Sequence, residues 1–237
     1  MLTHGIGVTG DYLFASSEDV LYRWPYSEGQ RDPLDDERRQ VVIYGMNELD
    51  FDPHEIVNHN HRSRPFEFDL DGNIYVALGS YGNIDPTPFR SRIRRFPADL
   101  VVAAQLPPNG TSCAEGEVFA DGLRNSVGLG WDFEGVLWGV ISGENDLFRE
   151  DLGGDIAIGN PAEELNRYQP ENAGQFYGYP YCWTEGQLEL GRATTNNIPP
   201  VAILEAHTTP LDLEFYGVRF PKSICGSMIG AEIDRTG

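Results

Sequence analysis

The chain has 237 residues, of which 40% are hydrophobic and 11% aromatic, and its formal net charge is −20. Enough apolar residues are present for a sizeable core, so global disorder is not expected. So acidic a chain would repel phosphate backbones, so nucleic acid is not an expected partner. No apolar run reaches the length of a membrane segment, and no signal peptide is visible at the N-terminus.

A strand–turn–strand unit repeats along the chain. It is written first as "HGIGVTGDYLFASSEDVLYRWPY" (4–26), then as "RPFEFDLDGNIYVALGS" (64–80) and "SVGLGWDFEGVLWGVISG" (126–143), and "PLDLEFYG" (210–217) begins a fourth copy. The units start about every 60 residues, and the last gap is about 85. Units of this kind, with about four short strands each, are typical of propeller blades. The pattern predicts an all-β fold, a partial β-propeller of about four blades forming a single domain over residues 1–237.

The last gap is longer because of an irregular insert at about residues 146–185. Within it, "NPAEELNRY" predicts the chain's one short helix, with Asn160 as N-cap, Pro161 as the first helical residue and Glu163 two positions further on. The aromatic stretch "FYGYPYCW" (176–183) follows, and its composition favours packing over ligand recognition.

Three of the five histidines, His54, His59 and His61, lie close together before the second unit. On a strand, His59 and His61 would point to the same face. No further histidine or cysteine follows nearby, however, so a transition-metal site is not favoured. "DLDGN" (69–73) resembles the start of an EF-hand loop. Its glycine comes too early and Ser80 stands where the final glutamate belongs, so we interpret it as a β-turn.

Two further stretches place polar groups at strand ends. "GLRNSVGLGWD" puts Arg124 and Asn125 directly before a strand. A planar cation and an amide there can bind a planar, oxygen-rich ligand through paired hydrogen bonds. The same two residues are also consistent with a salt-bridged arginine beside a turn asparagine, without any ligand. "ISGEN" (141–145) ends the next strand at a glycine turn, which is either a plain hairpin turn or a place where backbone carbonyls bind calcium.

Taken in order, these motifs resemble the soluble glucose/sorbosone dehydrogenase family, which uses pyrroloquinoline quinone, and within it the sorbosone or pyranose dehydrogenase-like subgroup. The resemblance extends over nearly the whole chain, and its most specific part is "GLRN-x-VGL" followed by "FYGYPYC". It implies a six-bladed β-propeller with the quinone and a calcium ion at one mouth.

The resemblance also assigns the catalytic base. The family's base histidine maps onto His61, in a pattern that Ser63 and Arg64 complete. Ser80 replaces an aspartate that orients this histidine in the glucose dehydrogenase members, so the resemblance leaves the partner of His61 open.

The cofactor contacts are assigned in the same way. The family's arginine–asparagine pair maps onto Arg124 and Asn125, and the turn whose carbonyls bind calcium maps onto Gly143 and Glu144. The implied reaction oxidises a sugar or aldose hydroxyl, with an external electron acceptor. We expect His61 to take the hydroxyl proton, the quinone to accept the hydride, calcium to act as a Lewis acid and Arg124 to stabilise developing charge as a second catalytic residue.

A ring of about four blades cannot close as a ring of six does, so we expect a truncated form whose later cofactor contacts are missing. The resemblance further implies an extracellular or periplasmic protein, because family members are usually exported. Two alternatives stay open. One is a non-catalytic propeller that serves as a binding module. The other is a calcium-dependent lactonase-like propeller, which would need Glu, Asp and Asn side chains converging from several blades.

Overall fold

Short strands account for nearly all the regular structure. The structure is a computed structural model that describes residues 2–47, 61–87, 89–104, 106–186 and 198–215. Within these ranges the strands are, in chain order, β1 (Leu2–Thr9), β2 (Tyr12–Ser17), β3 (Leu21–Pro25), β4 (Gln40–Tyr44), β5 (Phe66–Phe68), β6 (Ile74–Leu78), β7 (Arg92–Phe96), β8 (Thr111–Ser112), β9 (Glu117–Asp121), β10 (Ser126–Trp131), β11 (Leu137–Ile141), β12 (Phe148–Arg149), β13 (Gly154–Asp155), β14 (Glu163–Tyr168), β15 (Gln175–Phe176) and β16 (Ala202–Leu204). The predicted all-β class is confirmed.

Helical structure is minor. One α-helix, α1 (Asp99–Val102), follows β7, and the described residues also form four 3₁₀ turns, at Asp36–Arg38, Cys113–Glu115, Glu150–Leu152 and Pro170–Asn172. None of these is long and apolar enough to cross a membrane.

The strands form three main sheets, each an antiparallel meander of four strands. The first has the order β1-β2-β3-β4 with β8 added at its edge, the second β5-β6-β7-β9 with β15 added, and the third β10-β11-β14-β16. A two-stranded hairpin, β12-β13, stands apart from them. The added strands β8 and β15 pair in parallel. Four-stranded meanders are the usual form of a propeller blade. The units that start at β1, β5 and β10 are therefore those that the repeat predicted.

The core lies between neighbouring sheets. All five residues of β6 are buried, and its side chains alternate between two apolar clusters. Ile74, Val76 and Leu78 belong to a cluster shared with the first sheet, whereas Tyr75 and Ala77 belong to one shared with the third. Successive side chains of a strand point to opposite faces, so the middle sheet is covered on both sides.

The helix predicted from Asn160 is wrong. Residues 163–168 form β14, which pairs antiparallel with β11 from Leu137↔Tyr168 to Ile141↔Glu164 and with β16 on its other edge. A helix of one or two turns is marginal by itself, whereas a strand between two others satisfies its backbone groups on both sides. The insert is therefore regular in part, since β14 is the third strand of the third sheet.

The predicted fourth unit is not a strand where the structure describes it. Residues 210–215 have no regular structure, and they pass over β10, where the backbone of Asp212 lies against Gly128. The remaining residues of this unit lie outside the described ranges, as do His54 and His59.

Candidate active site

Loops from the second and third sheets meet at a cleft of about 320 Å³. Its walls come from the segment before β5, the turn before β10, the turn after β11, the start of β14 and the loop after β16. The lining includes His61, Arg124, Asn125, Gly143, Glu163 and His207. Four of the predicted site residues, His61, Arg124, Asn125 and Gly143, are thus brought together. The fifth, Glu144, lines a smaller cavity next to it, which Arg124 also borders.

His61 has a partner in Ser80. Its Nδ1 lies 2.8 Å from the Ser80 hydroxyl oxygen and 3.1 Å from the Ser80 carbonyl oxygen. A carbonyl oxygen can only accept, so Nδ1 carries the proton. The Ser80 hydroxyl donates its own proton to the carbonyl of Gly82 at 2.7 Å, which leaves it free to accept from His61. The Nε2 atom of His61 therefore keeps its lone pair.

The surroundings of His61 favour the neutral ring. Its pKa is lowered from 6.5 to about 4, chiefly because the ring is buried and then because of the positive charge of Arg124. The hydrogen bond to the Ser80 carbonyl acts in the opposite direction, and Arg90 and Arg64 add smaller decreases. Burial and like charge both disfavour a cation. At neutral pH the side chain can accept a proton.

Arg64 fixes the backbone that carries His61. Its side chain is wholly buried, and its Nη1 donates to the carbonyl oxygens of His61 at 2.9 Å and Ser63 at 2.8 Å. Its Nη2 donates to Asn47 Oδ1 at 2.8 Å. Arg64, the second arginine of the "HRSR" stretch, therefore holds the main chain in place, whereas the His61 side chain reaches the cleft.

Gly79, directly after β6, lies between His61 and Asn125. A Cβ atom at this position would lie 2.5 Å from Asn125 Oδ1 and 2.6 Å from the Cβ of His61. Real Cβ atoms do not approach other atoms so closely, so only glycine lets the two side chains come together here. The close packing of His61 and Asn125 thus explains why a glycine stands at position 79, which the sequence did not reveal.

Arg124 is buried and held in one orientation. Its Nε and Nη2 donate to the carbonyl oxygen and Oδ1 of Asn83, at 3.2 and 3.0 Å, and its Nη1 donates to the Ser142 carbonyl at 3.4 Å. Burial lowers its pKa, and the nearby Glu144 carboxyl acts against that decrease. A guanidinium has five N–H donors. Among the residues that the structure describes, these three contacts leave two of the donors without a partner.

Asn125 is buried beside Arg124 with an unsatisfied amide. Its Nδ2 makes a long contact to the Ser142 hydroxyl, at 3.5 Å. Its Oδ1 has no hydrogen-bond partner among the residues that the structure describes. A buried acceptor without a partner costs about 1–3 kcal/mol. Such an atom beside a cleft indicates that a ligand or water completes it.

The turn after β11 offers backbone oxygens. The N–H of Gly143 donates to Glu163 Oε2 at 2.8 Å, and the N–H of Ser142 donates to the Asn125 carbonyl at 3.2 Å. Within the described part of the chain, no donor reaches the carbonyl oxygens of Gly143 or Glu144. Calcium takes such carbonyls as ligands. No three His, Cys, Asp or Glu side chains gather as a metal site in the same ranges, so a metal here would depend on backbone oxygens.

Two site residues were not found from the sequence. Glu163 was placed in a helix, but as the first residue of β14 its carboxylate holds the turn at Gly143. Asn83 follows the "GSYG" loop after β6 and supports Arg124. The only signal for it was an asparagine just beyond a strand end, which also fits any turn.

Part of the aromatic stretch packs as predicted, whereas Tyr181 is exposed. Tyr177 and Tyr179 are buried, and their backbone N–H groups donate to the carbonyls of Asp121 and Gly122 at 2.8 and 3.1 Å. This places the stretch against the end of β9, where Tyr177 and Tyr179 line the smaller cavity next to the cleft.

The sequence profile of the TrAA12-like family matches residues 1–195. The chain belongs to the TrAA12-like family. Among curated relatives, a pyrroloquinoline quinone-dependent sugar dehydrogenase of Hypocrea jecorina is 30% identical over 250 residues. That match covers 90% of this chain and 55% of the relative. The chain therefore spans about half the length of this relative. The resemblance to quinone-dependent sugar dehydrogenases noted in the sequence is confirmed.

Solved structures of similar proteins agree in fold with this TrAA12-like chain. The holo form of the pyranose dehydrogenase PQQ domain from Coprinopsis cinerea superposes with a TM-score of 0.74 at 27% identity, covering 90% of this chain and 57% of that one. The calcium structure of the Trichoderma reesei family AA12 enzyme has a TM-score of 0.73 at 28% identity, covering 90% and 58%.

Proposed function

We propose that this chain carries the catalytic base and part of the cofactor site of a pyrroloquinoline quinone-dependent dehydrogenase that oxidises a sugar hydroxyl. One observation carries the proposal: a histidine with an available Nε2, an arginine with two spare donors and an asparagine with an unsatisfied oxygen line one cleft. These residues are His61, Arg124 and Asn125. The activities of the relatives support the choice of reaction.

The quinone would be held by Arg124 and Asn125. A planar ligand rich in oxygen and nitrogen can take up the two remaining N–H groups of the guanidinium, and its polar edge can pair with the Asn125 amide. The two carbonyl oxygens of Gly143 and Glu144 would hold a calcium ion. When bound, the quinone supplies a hydride acceptor and calcium a Lewis acid.

His61 would remove the proton of the sugar hydroxyl at Nε2. Its Nδ1–H is held by Ser80, so the ring presents the correct nitrogen without rearrangement. General bases of this kind typically contribute about 10²–10⁴-fold to the rate. The positive charge of Arg124 lies near enough to lower the pKa of His61, and it would stabilise negative charge that develops in the cleft.

We further propose that the three sheets are consecutive blades of a six-bladed ring. The spacing of the units in the sequence supports their assignment as consecutive blades, and the family resemblance supports a ring of six. The remaining cofactor contacts would then come from parts of the ring beyond the described residues.

The proposed function is tested by reconstituting the purified protein with the quinone and calcium and following dye reduction with aldoses and pyranoses. His61→Ala should lower kcat by about 10²–10⁴-fold while leaving the Kd for the quinone nearly unchanged. His4→Ala is the matched control, because His4 is exposed on β1. Turnover that survives His61→Ala would show that the base is another group.

Sugar binding and lactone hydrolysis, measured on the same protein, separate the two alternatives. A binding module would bind sugar without reducing dye in any reconstitution. A lactonase-like propeller would hydrolyse lactones with calcium alone. No observation favours the lactonase, since carboxylates do not gather as a metal site in the ranges that the structure describes.

A further inference from the structure

Asn83 joins three parts of the molecule around the cleft. It lies in the loop after β6, and its carbonyl oxygen accepts from Arg124 Nε at 3.2 Å and from the Tyr179 hydroxyl at 3.0 Å. Its side chain pairs with Asn145, since Oδ1 accepts from the Asn145 N–H at 2.8 Å and Nδ2 donates to the Asn145 carbonyl at 2.8 Å. The same Oδ1 accepts from Arg124 Nη2 at 3.0 Å.

This pairing needs an amide in one orientation. The Asn145 N–H can only donate, so its partner must be Oδ1, and the Asn145 carbonyl can only accept, so its partner must be Nδ2. The Asn145 backbone therefore sets the position of Oδ1, and Oδ1 receives Arg124. The contacts to Arg124 run in parallel from two neighbouring guanidinium nitrogens, which fixes the plane of the group as well as its position.

We infer that Asn83 is a positioning residue that holds the Arg124 guanidinium in place and ties it to the turn at residues 142–145. The inference rests on the proposed function, in which Arg124 contacts the quinone and that turn holds calcium. Asn83 is not among the residues that line the cleft, so it acts through Arg124. One side chain then keeps the cation and the carbonyl-bearing turn in a constant relation.

The inference predicts a coupling that can be measured without the quinone. Arg124 lowers the pKa of His61, so that pKa, followed by NMR titration of the ring protons, reports where the Arg124 charge lies. Asn83→Ala removes the Oδ1 acceptor of Arg124 Nη2 and the side-chain pairing with Asn145. The guanidinium keeps only its contacts to backbone carbonyls, so it should be held less closely beside His61 and the pKa of His61 should rise. In the Arg124→Gln background the Asn83→Ala change should have no further effect, because its route is already removed. Asn109→Ala, at an exposed turn, is the control.

A second readout uses the reconstituted protein. Asn83→Ala should weaken quinone binding by at least about tenfold, the size expected for a lost charge-assisted pair, and this loss should also vanish in the Arg124→Gln background. If Asn83→Ala does not fold, as judged by circular dichroism, Asn83→Ser is put through the same cycle.

The outcomes separate this inference from the proposed function. An unchanged pKa of His61 in Asn83→Ala, or an equal change in both backgrounds, would overturn the positioning role whatever the protein binds. Failure of the wild-type protein to bind the quinone would instead overturn the proposed function. The pKa cycle would then still decide whether Asn83 positions Arg124.

Discussion

The Nδ1 atom of His61 lies 2.8 Å from the hydroxyl oxygen of Ser80, a residue 19 positions further along the chain. The backbone N–H of Ser80 in turn donates to the Arg124 carbonyl at 2.7 Å. Ser80 therefore connects the proposed base to the proposed cofactor-binding residue. The hydroxyl and carbonyl oxygens of Ser80 are neutral acceptors that orient the imidazole. They do not add the negative charge that an aspartate would bring.

That difference in charge predicts the effect of Ser80→Asp. A carboxylate beside Nδ1 stabilises the imidazolium, so the pKa of His61 should rise from about 4. The acid limb of the pH–rate profile should move to higher pH together with it. NMR titration of the variant measures the shift directly. Ser80→Ala, which keeps the carbonyl bond to Nδ1, should change the pKa much less; equal shifts in both variants would argue against the electrostatic explanation.

Gly79→Ala should damage the site, whereas Gly82→Ala, three residues further along the chain, should be tolerated. The new methyl group would collide with Asn125 Oδ1 and the Cβ of His61, and overpacking of this kind costs about 1–3 kcal/mol. Gly82→Ala is the matched control in the same loop, because nothing lies within 4 Å of the added Cβ. Urea unfolding and quinone titration measure the two effects. Equal stability of the two variants would contradict the predicted collision.

Arg124→Gln should raise the pKa of His61, because it removes the largest charge acting on the ring. It should also weaken quinone binding, since glutamine cannot offer the paired N–H groups of a guanidinium. An anionic ligand bound beside Arg124 should likewise raise the pKa of His61 in the wild-type protein. Titrating the ring with and without ligand tests this, and a lower pKa in the complex would count against contact between the ligand and Arg124.

His61 should make the protein less stable in mild acid. Burial in the folded protein lowers its pKa from the ordinary value of 6.5 to about 4, so the unfolded chain binds the proton more readily in this range. Stability should therefore fall as the pH drops from about 6.5 to about 4, and the loss should be complete below that. His61→Gln should flatten this part of the curve relative to His4→Gln, as measured by urea unfolding at several pH values. Parallel curves for the two variants would refute it.

Glu163→Ala should weaken calcium binding. The carboxylate holds the N–H of Gly143 at 2.8 Å, and without it the turn has fewer constraints on its carbonyl oxygens. Isothermal titration with calcium measures the change, and treatment with a chelator beforehand removes bound metal. Glu171→Ala, which removes an exposed carboxylate from another loop, should leave calcium affinity unchanged. Equal losses in both would indicate a general effect of surface charge.

The sequence by itself determined the repeating sheets and several of the polar positions. Alternation of side chains and turn residues are local signals, and they located the units that begin at β1, β5 and β10. They also located Arg124 and Asn125 before a strand and the glycine turn at Gly143. Local patterns suffice there because a strand buried on one face has an apolar residue at every second position, and a strand buried on both faces has a short continuous apolar run.

The tertiary structure decided what depends on residues far apart in the chain. β14 is a strand because β11 and β16 lie on either side of it, although its amino-acid sequence is also compatible with a helix. Ser80 became the partner of His61 through packing of two loops, and Asn83 reaches Asn145 across 62 positions. No local pattern encodes such contacts, since each partner also fits an ordinary turn until the folded sheets place the two side by side.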